Sequence, residues 1–118
     1  MTLNEFIKNA RYRNSYVDEP GFKFLYLRKG SYYIQSRFSM FDNVLQIANC
    51  ETERYGKGTF KRFVAKVEQM WNGPILVESV LSDKFAMGLT RMGFEQVDFI
   101  GLQRNFVKHL NRYSGTVK

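Results

Sequence analysis

The stretch "ERYGKGTF", residues 53–60, sets two glycines around a lysine just ahead of a run with helical spacing. A strand that enters such a turn and leaves as a helix exposes the first N–H groups of that helix. They lack internal partners and sit at the positive end of the helix dipole. Gly56 and Gly58 carry no side chain that would keep phosphate oxygens away from them. Anion binding is therefore the chemistry this spacing offers; a plain strand-to-helix connection uses the same residues. Two better-known phosphate motifs fail. A Walker A loop needs glycine where Glu51 stands and Gly-Lys-Ser/Thr in order, whereas Lys57 precedes Gly58. The dinucleotide fingerprint needs a third glycine at Lys61.

The remaining reactive side chains are few. Cys50 is the single cysteine and His109 the single histidine, far apart in sequence, so no nucleophilic Cys–His pair is visible. Cys50 reads as a packed strand residue. One cysteine excludes an intrachain disulfide framework and a cysteine-based zinc cluster, and no metal is expected. It suits a reducing compartment. No apolar run nears the roughly 20 residues of a spanning helix, and "MTLNEFIKNARYRN" has no signal-peptide core, so a soluble, cytoplasmic protein without membrane partners is expected. The net charge of +7 points to an anionic partner, although dispersed lysine and arginine also serve solubility.

These residues need a scaffold, and 118 residues with 44% apolar content make one packed domain over 1–118. "TLNE" is a capping box, with Leu3, Phe6, Ile7 and Ala10 on one face of a helix over roughly 3–13. "FKFLYLRKGSYYIQSRF" alternates like two strands joined by a turn at Lys29-Gly30, and Asp42-Asn43 signals the next turn. "VLQIANCE" then reads as a central strand. Phe60, Phe63, Val64, Val67 and Trp71 recur at helical spacing, and "WNGP" ends that helix at Gly73. "PILVESV" is a second central strand. Ser82 caps a helix carrying Phe85, Ala86, Leu89 and Met92, stopped at Gly93, and "FEQVDFIGL" and "NFVKHL" close the chain as strands. Met87, Met92 and the Phe60–Trp71 stripe read as core. The order is helix, three strands, helix, strand, helix, two strands: mixed α/β.

Strand "LQIANCE", turn "ERYGKGTF", an amphipathic helix, strand "ILVESVLS" and a helix ending "LTRMGFE" together resemble the GNAT N-acetyltransferase superfamily over about residues 44–95. The resemblance implies a mixed, mostly antiparallel sheet flanked by helices, with a splayed central strand pair. The first strand of most members is not evident here. It implies acetyl-coenzyme A as cosubstrate, moving its acetyl group to an amine. Arg54 would lead into the loop, and Gly56, Lys57, Gly58, Thr59 and Phe60 would offer N–H groups to the pyrophosphate. Ala48, Asn49, Cys50 and Glu51 would bond the pantetheine arm through their backbone, as an added strand would. Ser82 stands where the family often has an asparagine near the cofactor, and Leu89 where a general-acid tyrosine is frequent. Glu53 stands in the position before the loop that the family gives to Gln or Arg.

An attacking lysine amine, with a pKa of roughly 10.4, must lose a proton. Glu78, the odd carboxylate in an apolar strand, and Glu51, at the end of the cofactor strand, are the candidate bases. A thiol leaving group, with a pKa near ~8.5, departs without the tyrosine acid, and Tyr55, Tyr113 or water are alternatives. The acceptor is an unassigned amine on a small molecule or on an acidic or nucleic-acid-associated protein, and a homodimer is left open. Two other readings stand beside this one. One is a GNAT-like fold without catalysis. The other is a nucleic-acid module using Lys23, Arg28, Lys29 and Arg37 interleaved with Tyr26, Tyr32 and Tyr33.

Overall fold

The computed structural model describes residues 1–34, 39–54, 56–100 and 103–109; Arg37, Tyr55 and Tyr113 lie outside them. Helix α1 spans Leu3–Lys8, β1 Asn14–Tyr16, β2 Phe22–Ile34, β3 Ser39–Thr52, α2 Thr59–Met70, β4 Ile75–Val77, α3 Asp83–Arg91, β5 Glu95–Ile100 and β6 Gln103–Lys108. The strands form one sheet in the order β1-β2-β3-β4-β6-β5. Every pairing is antiparallel except β3–β4. The chain is thus an α/β fold with a mostly antiparallel six-stranded sheet and three helices among the described residues.

The capping box of α1 forms on both sides: Glu5 N–H donates to Thr2 Oγ1 at 3.1 Å and Thr2 N–H to Glu5 Oε1 at 3.0 Å. The helix nevertheless stops at Lys8, well before residue 13. Asn9 turns extended and its side chain accepts from Arg11 N–H, redirecting the chain. Lys29 Nζ then donates to the Phe6 and Asn9 carbonyls at 2.5 and 2.8 Å, closing the helix end from β2. Asn14–Tyr16, which no alternation announces, forms a short edge strand against Tyr26–Arg28.

The largest correction concerns the two turns expected at Lys29-Gly30 and Asp42-Asn43. Both lie inside strands. Lys29 pairs with Leu45, Gly30 with Val44, and β2 runs on to Ile34 opposite Ser39. A register shift between Gly30 and Tyr32, with Asn43 at φ 61, absorbs the turn-forming residues as a bulge. Long-range pairing overrides local turn chemistry here.

Strand alternation splits the sheet into two faces. Leu25, Leu27, Leu45, Ile47, Ile75 and Val77 share a core with Leu3 and Phe6 of α1, Phe63, Val64 and Val67 of α2, and Ala86 and Leu89 of α3. On the other face Phe41, Val44, Leu76, Val97 and Val107 form a second cluster, with Tyr32 against it. Gly73 is not a left-handed helix cap; the cap of α2 is extended Trp71. A Cβ at Gly73 would fall 2.1 Å from the Asn43 carbonyl oxygen, so close approach to β3 is what demands glycine. Gly93, at φ 95, does end α3 as expected, with Phe94 N–H bonded to the Leu89 carbonyl. No helix among the described residues is long and apolar enough to cross a membrane.

Candidate functional site

The parallel β3–β4 pairing covers three residue pairs, Leu45↔Ile75, Gln46↔Leu76 and Ile47↔Val77. Strand β4 then gives way to Glu78 and to Ser79 at φ 58, whereas β3 continues to Thr52. Beyond Ile47 no described strand pairs with β3 on that side. The glycine turn follows directly.

Gly56 and Gly58 both occupy the left-handed region, at φ 78 and 73, and Gly58 caps α2 without a side-chain hydrogen bond. Arg62 reaches back along the helix to bind the Lys57 carbonyl at 2.8 Å, which satisfies that oxygen within the chain. Behind the loop, Thr59 packs its methyl against Gly21. Among the described groups, none accepts the N–H of Phe60 or Lys61, as is usual for donors in the first turn of a helix.

In front of these N–H groups lies a cavity of about 520 Å³ between the end of β3, the loop, α2 and α3. Of the residues singled out in the sequence it gathers Cys50, Glu51, Arg54, Gly56, Lys57, Gly58, Thr59 and Phe60. Ala48 and Asn49 lie further back on β3 and do not line it, nor does Ser82. Ser82 acts as helix cap, its Oγ accepting from Phe85 N–H at 3.2 Å. Glu78 does not line it either. It sits just past the last residue of β4 and is exposed.

Sequence reasoning missed the opposite wall. Lys84, Gly88 and Arg91 of α3 face the cavity together with Phe85 and Met92. Their i, i+4, i+7 spacing was a visible signal, but Phe85 and Met92 looked like core alone. Phe60 and Phe85 meet edge to face at 5.1 Å and make an apolar floor. Around it Arg54, Lys57, Lys61, Lys84 and Arg91 bring positive charge against the single carboxylate of Glu51. A hollow of about 590 Å³ beside β1 and β2 is lined by Asp18 and Glu19 as well as Lys23, so it offers no excess of positive charge for a phosphate.

The two candidate bases differ. Glu51 is ion-paired with Lys23 at 2.8 Å, with both side chains more than half exposed. Glu78 accepts at Oε1 from Gln46 Nε2 at 2.7 Å, and Gln46 is itself fully buried. Cys50 lines the cavity, half-buried on β3, and burial pushes its thiol up to about 11. It is protonated near neutrality and poorly suited to act as a nucleophile. His109 pairs with Glu68. The sequence matches no family model, and no curated protein or solved structure matches it.

Proposed function

We propose that this protein is a GNAT-type N-acetyltransferase, taking acetyl-coenzyme A in the cavity between β3, α2 and α3. One observation carries the reading: the cavity joins a helix N-terminus, several cations and an apolar floor along the end of β3, beyond the stretch that pairs with β4. Free N–H groups and cations suit a pyrophosphate. The unpaired edge of Ala48–Thr52 suits the amides of a pantetheine arm. The open interval past Ile47 and Val77 would let a thioester reach the other sheet face, where Glu78 stands.

The chemistry then balances simply. The amine nitrogen bonds the acetyl carbon, the carbon–sulfur bond breaks, and coenzyme A leaves with the electron pair. Glu78 takes the amine's proton, directly or through water. Glu78 is preferred to Glu51 because a buried amide aims it, whereas Glu51 is engaged by Lys23. A cytoplasmic setting accords with this cosubstrate.

Thermal melts test the reading. Acetyl-coenzyme A at 100 times its Kd should add about 2.7 kcal/mol of apparent stability by linkage. No shift with acetyl-coenzyme A or free coenzyme A ends the proposal, and a shift without thiol release on adding amines indicates a non-catalytic binding protein. A second reading rests on the exposed face of β1 and β2. The Tyr16 and Tyr26 rings meet tilted at 56° with centroids 4.8 Å apart, and Arg28 lies 5.6 Å from the Tyr26 ring centre. That patch is suited to bases of single-stranded nucleic acid. RNA binding with a steep salt slope, and no coenzyme effect, would favour it.

A further inference from the structure

Gln46 has no exposed surface, in a strand whose neighbours Leu45 and Ile47 are apolar core. A buried amide without partners costs free energy, so its bonds call for explanation. Its Oε1 accepts from the Tyr32 hydroxyl at 2.5 Å, and its Nε2 donates to Glu78 Oε1 at 2.7 Å. The three side chains form one chain across β2, β3 and the end of β4, on the sheet face opposite the helices. Among the described groups, none bonds Glu78 Oε2.

The order of donors follows from charge. An ionised carboxylate only accepts, so Gln46 must turn its Nε2 toward Glu78 and its Oε1 toward Tyr32, which then must donate. Were Glu78 protonated, every member could reverse. The acid would donate to the amide oxygen, the amide would rotate, and the phenol would accept from Nε2. The reversal works here because a phenol both donates and accepts and an amide has one end of each kind. The carboxyl group is held in one place whether or not it carries the proton, which is what a base needs through a turnover.

We propose that Gln46 and Tyr32 are positioning residues for Glu78, a reversible hydrogen-bonded brace that keeps its carboxylate at the exit of the β3–β4 gap while Oε2 faces the acceptor. The inference rests on the reading of Glu78 as the base. The backbone supports it independently: Ser79, the next residue, is locked at φ 58 with its N–H on Asn105 Oδ1 at 2.9 Å.

Thiol release from acetyl-coenzyme A in the presence of a lysine-rich peptide reads the role, and crystal structures of the variants read the position. Glu78→Gln should lower kcat by about 10²–10⁴-fold, the usual worth of a general base. Gln46→Met should lower kcat by roughly 10-fold or more, with the acetyl-coenzyme A melt shift unchanged and the Glu78 side chain displaced. Tyr32→Phe should do the same to a smaller degree, and add little on top of Gln46→Met, because the two act as one unit. If Glu78 keeps its rotamer in both variants, or kcat is retained while Glu78→Gln is inactive, the brace is wrong and the base stands. If Glu78→Gln turns over normally, or the wild type releases no thiol, the parent reading falls and the brace with it.

Discussion

Ser79 and Asn105 are locked together: the Ser79 N–H donates to Asn105 Oδ1 at 2.9 Å while Ser79 sits at φ 58. A serine held there stores about 1–3 kcal/mol of strain. Strand β6 meets that cost by binding the loop repeatedly. Arg104 donates to the carbonyls of Val80 and Leu81 and pairs with Asp83 at 3.0 Å. Asn105→Ala should lower stability by about 1–3 kcal/mol, read from urea unfolding. Ser79→Gly should return up to about 1 kcal/mol in that background by removing the strain. An equal loss from Ser79→Gly in both backgrounds would show that the left-handed turn is unstrained.

The two loop glycines should not behave alike. A Cβ at Gly58 would lie 3.2 Å from the Arg62 guanidinium that braces the Lys57 carbonyl, whereas one at Gly56 meets nothing within 4 Å. Both positions have positive φ, so each alanine variant should lose about 1–2 kcal/mol. Only Gly58→Val is expected to abolish the melt shift with acetyl-coenzyme A, because it also disturbs the mouth of the helix. A retained shift would place the anion elsewhere.

What could be read in advance was local. The helical stripe beginning at Phe60 buries Phe63, Val64 and Val67 as its spacing requires, and Ser82 and Gly93 bound α3 by ordinary cap chemistry. Gly56–Phe60 could be placed at a strand-to-helix turn for the same reason. What was hidden depends on partners remote in sequence. Lys29-Gly30 carries turn residues yet lies in β2 because Val44 and Leu45 pair with it. Gln46 carries no signal of its own in a stretch that reads as a central strand, and only the fold brings Tyr32 and Glu78 to its two ends. The basic face of α3 was legible as periodicity but not as a wall, since nothing local says which element it confronts.

Gly73→Ala should be among the most damaging single substitutions. Its Cβ would stand 2.1 Å from the Asn43 carbonyl oxygen and 2.8 Å from Trp71 Nε1, and the first of these is backbone that cannot swing aside. A loss of about 3 kcal/mol or more is expected from overpacking at this buried junction of β3 and the α2–β4 link. Denaturant midpoints measure it. Near-neutral behaviour would mean that β3 can shift away.

Glu68 should shape the acid limb of stability. Burial raises its carboxyl, and the hydrogen bonds from Lys108 and His109 lower it by more, so the group ends below its ordinary value. A depressed carboxylate adds stability that is present above its unfolded pKa, roughly 4.3, and lost as pH falls through the folded value. Thermal melts from pH 7 to 3 should therefore show a steeper acid decline in the wild type than in Glu68→Gln. Parallel curves would mean that the pair between α2 and the end of β6 does not survive in solution.

Cys50 sets a limit at the other end of the scale. Burial lifts its thiol from an ordinary 9.0 to about 11, so the folded chain holds this proton more tightly than the unfolded chain. The stability it contributes is full below pH 9 and is lost as pH rises toward 11, by an amount on the order of 2 kcal/mol. Wild type should thus lose more stability than Cys50→Ala between pH 8 and 11, in a difference curve that cancels the tyrosines and lysines. Alkylation by iodoacetamide at pH 7.5 should run on the order of 100-fold slower than for a free thiol, since only the thiolate attacks. Because Cys50 lines the cavity, acetyl-coenzyme A should slow it further. Fast labelling indifferent to the coenzyme would show that this end of β3 is open to solvent and not the wall of a binding site.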